Sequence, residues 1–224
     1  MLNRYREVER CKEDIEQFIE IAQEDIADLE HNDIVSIVKG MMFIKKTYAF
    51  PEQKRQHYYE CLVTDILNLV HTFSQNSIRV YYTTYRSLIE NLVRVILRYE
   101  NTNATGVRNM FNELREKFEA SNKEFIDYIE GEYGKCCEVI HSNYKANLPI
   151  YEYYEEIIKV DELSIKKKSS MAKQLSSFYL KCKMFMVKND YIQVNNAFHN
   201  QKEVLFFLIG KNPYNIFINN CDNL

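Results

Sequence analysis

The sequence predicts an all-α fold, and three observations predict it. Only five Gly and three Pro occur in 224 residues, too few for sandwiches, barrels or nucleotide-binding α/β folds, which need frequent turns. Apolar residues recur every three or four positions over most of the chain, the period of an amphipathic helix. Neither a Walker-type loop nor a dinucleotide fingerprint occurs, so folds built around a Gly-rich phosphate cradle are excluded. At about 150 residues per domain, the length fits one elaborated domain or two small ones.

The elements follow in order. Leu2, Tyr5, Val8, Cys11, Ile15, Phe18, Ala22, Ile26 and Leu29 trace one helical face, with acids on the other, ending near His31-Asn32. Residues 34–48 are denser in apolar side chains and read as a buried helix, stopped by Phe50-Pro51. A third helix covers 52–73 and a polar stretch, Ser74-Gln75-Asn76-Ser77, separates it from a fourth over 78–99. After the loop 101–106, a short helix carries Val107, Met110, Phe111, Leu114 and Phe118. Ser121-Asn122-Lys123-Glu124 fits a capping box that opens the next helix, which ends around 141–143. Gly131 and Gly134 inside it imply either irregularity or close packing against a neighbour. The segment 151–158 follows Pro149, then a basic helix over about 164–187. A last helix over 190–209 ends at Gly210 and Pro213, and residues 215–224 are expected to fray. No internal repeat or long linker interrupts the chain. The expected organisation is residues 1–75 as N-terminal helices packing on a helical core of 76–224 with basic C-terminal helices, in one compact domain.

The formal net charge of −3 excludes bulk basicity, but it averages two opposed segments. Residues 1–30 carry ten acids against four bases, while 163–189 hold seven Lys and no acid. A run such as Lys166, Lys167, Lys168 and Lys173 is either a solvated face or a phosphate-attracting one. The six cysteines are scattered and residues 1–6 show no signal-peptide core. The longest aliphatic-aromatic run, 204–209, is too short to cross a bilayer. These features set the expectation of a soluble cytoplasmic protein with reduced thiols and no membrane contact.

Two stretches carry candidate chemistry. On the fourth helix the apolar face holds Ile78, Tyr82, Tyr85, Ile89, Leu92, Val93 and Ile96, with Arg86 and Glu90 on its border and Arg94 one turn on. Spacing alone allows a solvated ladder of ion pairs. It also allows a half-buried guanidinium, held by a carboxylate and preorganised for phosphate. The second stretch puts His141 after the stripe Tyr133, Cys136, Cys137 and Ile140, at a helix C-terminus whose dipole favours imidazolium. Cys136, Cys137 and His141 have no second ligand pair at helical spacing, so no metal is expected.

The segment Arg86-Ser-Leu-Ile-Glu-Asn-Leu-Val-Arg94, followed by Tyr133-x-x-Cys-Cys-x-x-x-His141-Ser142, resembles the HEPN superfamily, closest to its abortive-infection members in bacterial phage defence. The resemblance covers residues 81–144. It implies a HEPN-like helical bundle, here with extra N-terminal and C-terminal helices, that homodimerises and cleaves RNA without metal or cofactor. It implies His141 as acid/base for attack by the ribose 2′-hydroxyl, Arg86 or Arg94 as phosphate stabiliser and Glu90 as the group orienting the arginine. Asn143 would contact phosphate or set the His tautomer. Lys135, Lys166, Lys167, Lys168 and Lys173 would track the RNA backbone. The sequence departs from the family where an Arg is usual four to six residues before the His: Lys135 stands there, a point charge without the bidentate fork. Cys137 also replaces a small hydroxyl residue. The other implied reading is a non-catalytic helical module that dimerises or holds a regulatory protein partner.

Overall fold

Every regular element in the computed structural model is a helix; the structure describes residues 2–49, 51–141 and 147–221. Among the described residues, extended pairing is limited to one antiparallel bridge between Ser77 and Glu162. The all-α class read from the low Gly and Pro content therefore holds. The chain divides into two compact units, one made of Met1–Gln23, Ala27–Gln53 and Ser169–Leu224, the other of Glu24–Ile26 and Lys54–Lys168. The sequence reading placed a boundary at 75/76, between two helices that in the structure share a unit.

The second unit is built on α4 (Gln56–His71), α5 (Ile78–Ile96) and α6 (Val107–Ile140), with α7 (Ile150–Asp161) against α5. Helix α5 is central: Tyr81, Tyr85, Leu88, Ile89, Leu92 and Val93 are fully buried. Of the expected face, Tyr85, Ile89, Leu92, Val93 and Ile96 are buried, while Ile78 and Tyr82 at its start are only half-buried; Tyr81 and Leu88 are buried beyond it. The wider stripe follows from α5 being covered on two sides, by α4 and by α6. Ser77 caps α5 by accepting from the Val80 amide at 3.1 Å. Asp161 completes the cap, accepting from the Ser77 hydroxyl at 2.5 Å and the Arg79 amide at 2.6 Å, a carboxylate where the helix dipole favours one.

Two helices were expected over 107–118 and 121–140. They form one element, α6, broken by the non-helical backbone of Asn122 (φ −149°, ψ 34°). The break lies one residue after the expected cap Ser121, whose hydroxyl donates instead to the Phe118 carbonyl at 3.2 Å. The bend is sharp. Arg115 reaches Asp127 at 3.0 Å and also pairs with Glu130, although a straight helix would separate residues 115 and 130 by about 22 Å. Gly131 and Gly134 neither break the helix nor pack closely, since a Cβ at either would meet nothing within 4 Å.

The first unit packs α1 (Leu2–Ile21) and α3 (His31–Thr47) with α8 (Ile165–Asn189, from Ser169 onward), α9 (Tyr191–Ala197), α10 (Lys202–Ile209) and α11 (Lys211–Cys221). The expected first helix stops at Ile21, and its continuation is the short α2 (Gln23–Ile26). Helices α3 and α8 are in close contact: Ser176 donates to the Ser36 hydroxyl at 2.8 Å, and Gly40 lies against the Tyr179 side chain. Phe43 and Phe198 stack at 6.1 Å, tying α3 to the turn after α9. The expected single helix over 190–209 is two. Residues 211–221, expected to stop at Pro213 and then fray, form α11, anchored by the buried Phe217. Gly210 makes the break with φ +79°. Pro213 is tolerated because it is the third residue of α11, where its missing amide has no intrahelical acceptor.

The Tyr179 hydroxyl is fully buried and has no hydrogen-bond partner among the described residues. A buried hydroxyl left unmade costs its desolvation. Tyr179→Phe is therefore expected to leave stability unchanged or raise it by about 1 kcal/mol. Denaturant unfolding checks this, and a loss above about 1 kcal/mol would show that the hydroxyl is satisfied.

Candidate functional site

Helix α5 sends its polar side chains two ways. Ser87 and Asn91 turn toward α4 and donate to the Asp65 carboxylate at 2.7 and 2.8 Å. Burial raises the Asp65 pKa, and these two hydrogen bonds oppose the rise. Half of the Arg86–Arg94 segment thus ties two helices together.

The other half forms a cluster. Glu90 Oε1 accepts from Arg86 Nε at 3.1 Å and from the Tyr133 hydroxyl at 3.0 Å, and Oε2 lies 3.5 Å from an Arg94 guanidinium nitrogen. The Arg86 guanidinium stands 5.2 Å from the Tyr133 ring centroid and that of Arg94 stands 5.2 Å from Tyr58. Tyr133 is held edge-on by Phe111, with centroids 5.4 Å apart. Side-chain exposure is 30% for Arg86, 20% for Glu90 and 16% for Arg94. These values make the row a half-buried, aromatic-clamped cluster. Burial and then the Glu90 charge push the Tyr133 pKa up, so the phenol stays a donor. Partial burial opposes the Arg86 charge, but Tyr133, Glu90 and Cys137 outweigh it and raise its pKa.

Two cations and one carboxylate leave the cluster with one positive charge in excess. The Arg94 Nε is buried and has no hydrogen-bond partner among the described residues. Such a fork, stacked on aromatic rings, can donate to a phosphate or carboxylate oxygen.

Helices α5 and α6 run antiparallel here, because Arg79 meets Ile140, Tyr85 meets Glu132 and Glu90 meets Tyr133. His141 is the exposed C-cap residue of α6, its amide donating to the Cys137 carbonyl at 2.9 Å. Among the described residues no side chain hydrogen-bonds to its imidazole, and no bond joins it to Arg86. The arginine at that end of α6 is Arg79, which donates to the Ile140 carbonyl at 2.8 Å. Asn143 lies outside the described residues.

The lysine candidates differ among themselves. Lys135 donates to Glu132 Oε1 at 2.6 Å, and Glu132, only 3% exposed, also accepts from the Tyr85 hydroxyl at 3.2 Å. The side chain standing where an arginine is usual is therefore engaged by a buried carboxylate. Lys166, Lys167 and Lys173 are exposed on α8, while Lys168 is half-buried. Lys183, in the same basic run, turns inward and is buried.

Sequence reasoning placed Tyr133 in an apolar stripe and passed over Tyr58 and Arg79. The available signal was the choice of Tyr over Phe, since a buried phenol hydroxyl asks for a partner. Among the described residues, no group of three or more His, Cys, Asp or Glu side chains could hold a metal ion, and no disulfide forms. No helix is long and apolar enough to cross a membrane among those residues. No protein-family model, no curated protein and no solved structure matches the chain.

Proposed function

We propose that the chain is a HEPN-like, metal-independent endoribonuclease effector of bacterial antiviral defence, of the abortive-infection or toxin–antitoxin kind, working as a homodimer under a regulatory protein partner. The observation that carries this reading is the Arg86–Glu90–Arg94–Tyr133 cluster on the antiparallel pair of α5 and α6. Arg86 lies over Tyr133, and Tyr133, Cys137 and His141 follow one another at four-residue steps on α6. In this reading His141 removes the 2′-hydroxyl proton, and the oxygen attacks the adjacent phosphorus. The 5′-oxygen leaves, and a 2′,3′-cyclic phosphate remains. Arg86, the nearer of the two candidate arginines to the His141 end of α6, stabilises the charge on the pentavalent phosphorane, and Glu90 with Tyr133 keeps Arg86 in place. Lys166, Lys167 and Lys173 supply exposed charge along which an RNA backbone can run.

The test is RNA cleavage in excess chelator. Wild-type protein is expected to release cyclic-phosphate ends, and His141→Ala to lose about 10²–10⁴-fold in rate. Because His141 is exposed, the substitution should leave stability within about 0.5 kcal/mol. Equal cleavage by the two proteins would remove His141 from the reaction. A specific observation favours a second reading, a non-catalytic dimerisation or regulatory module: Lys135 is bound to Glu132 instead of standing free for a phosphate. Absence of cleavage by wild type, together with self-association unaffected by His141→Ala, would select that reading.

A further inference from the structure

Helix α7 is poorly embedded for its composition. More than half of its 12 residues are aliphatic or tyrosine, yet none of its described side chains is buried. Tyr153 and Ile157 are half-buried. Ile150, Tyr151, Tyr154 and Ile158 are 87%, 65%, 65% and 53% exposed. At about 100° per residue these four share an arc of about 100°, so they form a single apolar stripe. A helix of about 12 residues is marginal in water by itself, and covering this stripe would stabilise it.

We propose that the stripe on α7 receives a second copy of this chain, the two α7 helices lying antiparallel across a two-fold axis. The charges on α7 choose this occupant. Glu152 stands in the first turn and Lys159 in the last. Glu155 and Lys159 are exposed along one flank of the stripe. In an antiparallel pair that flank faces its own copy with the order reversed, so Lys159 of each chain meets Glu155 of the other, twice per dimer. A parallel pair would bring like charges to the same level. The opposed helix dipoles favour the same orientation. The glutamates also turn away an anionic bilayer, which would otherwise suit exposed tyrosine and isoleucine.

The area is of the right order. A whole tyrosine side chain offers about 150–250 Å², so the four exposed side chains present on the order of 500 Å². A stable interface takes about 800 Å² per partner. The stripe supplies the apolar centre and the charged flank supplies the rim. Helix α7 ends in Asp161, the carboxylate that completes the cap of α5, so this surface is fastened to the helix that carries the Arg86 cluster. The proposal rests on the homodimer of the preceding reading and is independent of RNA cleavage.

Sedimentation equilibrium of the full chain over the micromolar range tests it. Wild type is expected to dimerise. Tyr154→Glu puts a carboxylate in the middle of the stripe and should weaken the dimer at least about a hundredfold. Leu180→Glu, which alters an apolar residue of α8 that is 53% exposed, should leave the dimer unchanged. Lys159→Glu should weaken it about tenfold, and adding Glu155→Lys to the same chain should restore most of the loss. A wild type still monomeric at about 100 µM, a dimer indifferent to Tyr154→Glu, or a charge exchange no better than Lys159→Glu alone would each overturn the proposal. Should Tyr154→Glu fail to fold, the charge exchange decides, since it touches exposed residues only. Cleavage of RNA by a chain whose dimer ignores Tyr154→Glu would sink this interface and leave the ribonuclease reading standing. A dimer that responds as expected but does not cleave would do the reverse.

Discussion

Replacing Gly40 with alanine is expected to cost about 3 kcal/mol or more. A Cβ at this position would lie 2.4 Å from both Cβ and Cγ of Tyr179 and 2.9 Å from Cδ1. Neither side can rotate away, because both Cβ atoms are fixed by their helix backbones, so α3 and α8 would have to separate. Alanine's higher helix propensity returns only about 1 kcal/mol, and the clash exceeds it. The midpoint of thermal unfolding should fall by roughly 6–10 °C. Gly131→Ala and Gly134→Ala provide the control. Nothing lies within 4 Å of a Cβ at either, so both should be neutral or stabilising by about 0.5–1 kcal/mol. A Gly40→Ala protein as stable as wild type would show that α3 and α8 do not approach this closely.

Glu90→Ala should cost about 2–3 kcal/mol, several times what its spacing alone implies. Exposed pairs one turn apart contribute about 0.3–0.5 kcal/mol each. Here one carboxylate accepts from Arg86, Arg94 and Tyr133, and all four groups are at least half-buried. Its removal leaves two guanidinium groups and a phenol without their acceptor, and breaking a buried pair on one side is the costly case. Glu90→Gln keeps an acceptor oxygen and should lose about half as much. A double-mutant cycle with Tyr133→Phe measures the coupling, expected at about 1 kcal/mol. A coupling near zero, with a total loss under about 0.5 kcal/mol, would return the row to a solvated ladder. Where the chain cleaves RNA, the same Glu90→Gln variant should also slow the reaction through the loosened Arg86.

The helices were legible because burial imposes a period that the sequence must obey. The expected second, third and fourth helices over 34–48, 52–73 and 78–99 coincide with His31–Thr47, Gln56–His71 and Ile78–Ile96 to within a few residues. Their interruptions were harder to read. Asn122 breaks α6 while Gly131 and Gly134 do not, because the fold-back is held by Arg115 reaching residues 12 and 15 positions away, which no local rule detects. Pro213 looked like a terminator and sits in the first turn of α11, a difference decided by the buried Phe217 beyond it. In the candidate site, Arg86, Glu90 and Arg94 could be grouped from one-turn spacing. Tyr133 and Tyr58 join them from α6 and α4, and their part depends on how three helices pack. Gly40 shows the same limit, since it matters through Tyr179, about 140 positions distant.

That distance has a consequence for how the molecule is made. The second unit takes nearly all its residues from one stretch, Lys54–Lys168, whereas the first closes only when Ser169–Leu224 joins segments some 120 residues upstream. During synthesis the apolar face of α3, with Phe43 and Ile44 fully buried in the finished unit, has only α1 of its own unit against it until α8–α10 emerge. Contacts of such high sequence separation form slowly, and an exposed apolar helix invites association in the interval. The later part of the chain thus completes a half-built unit.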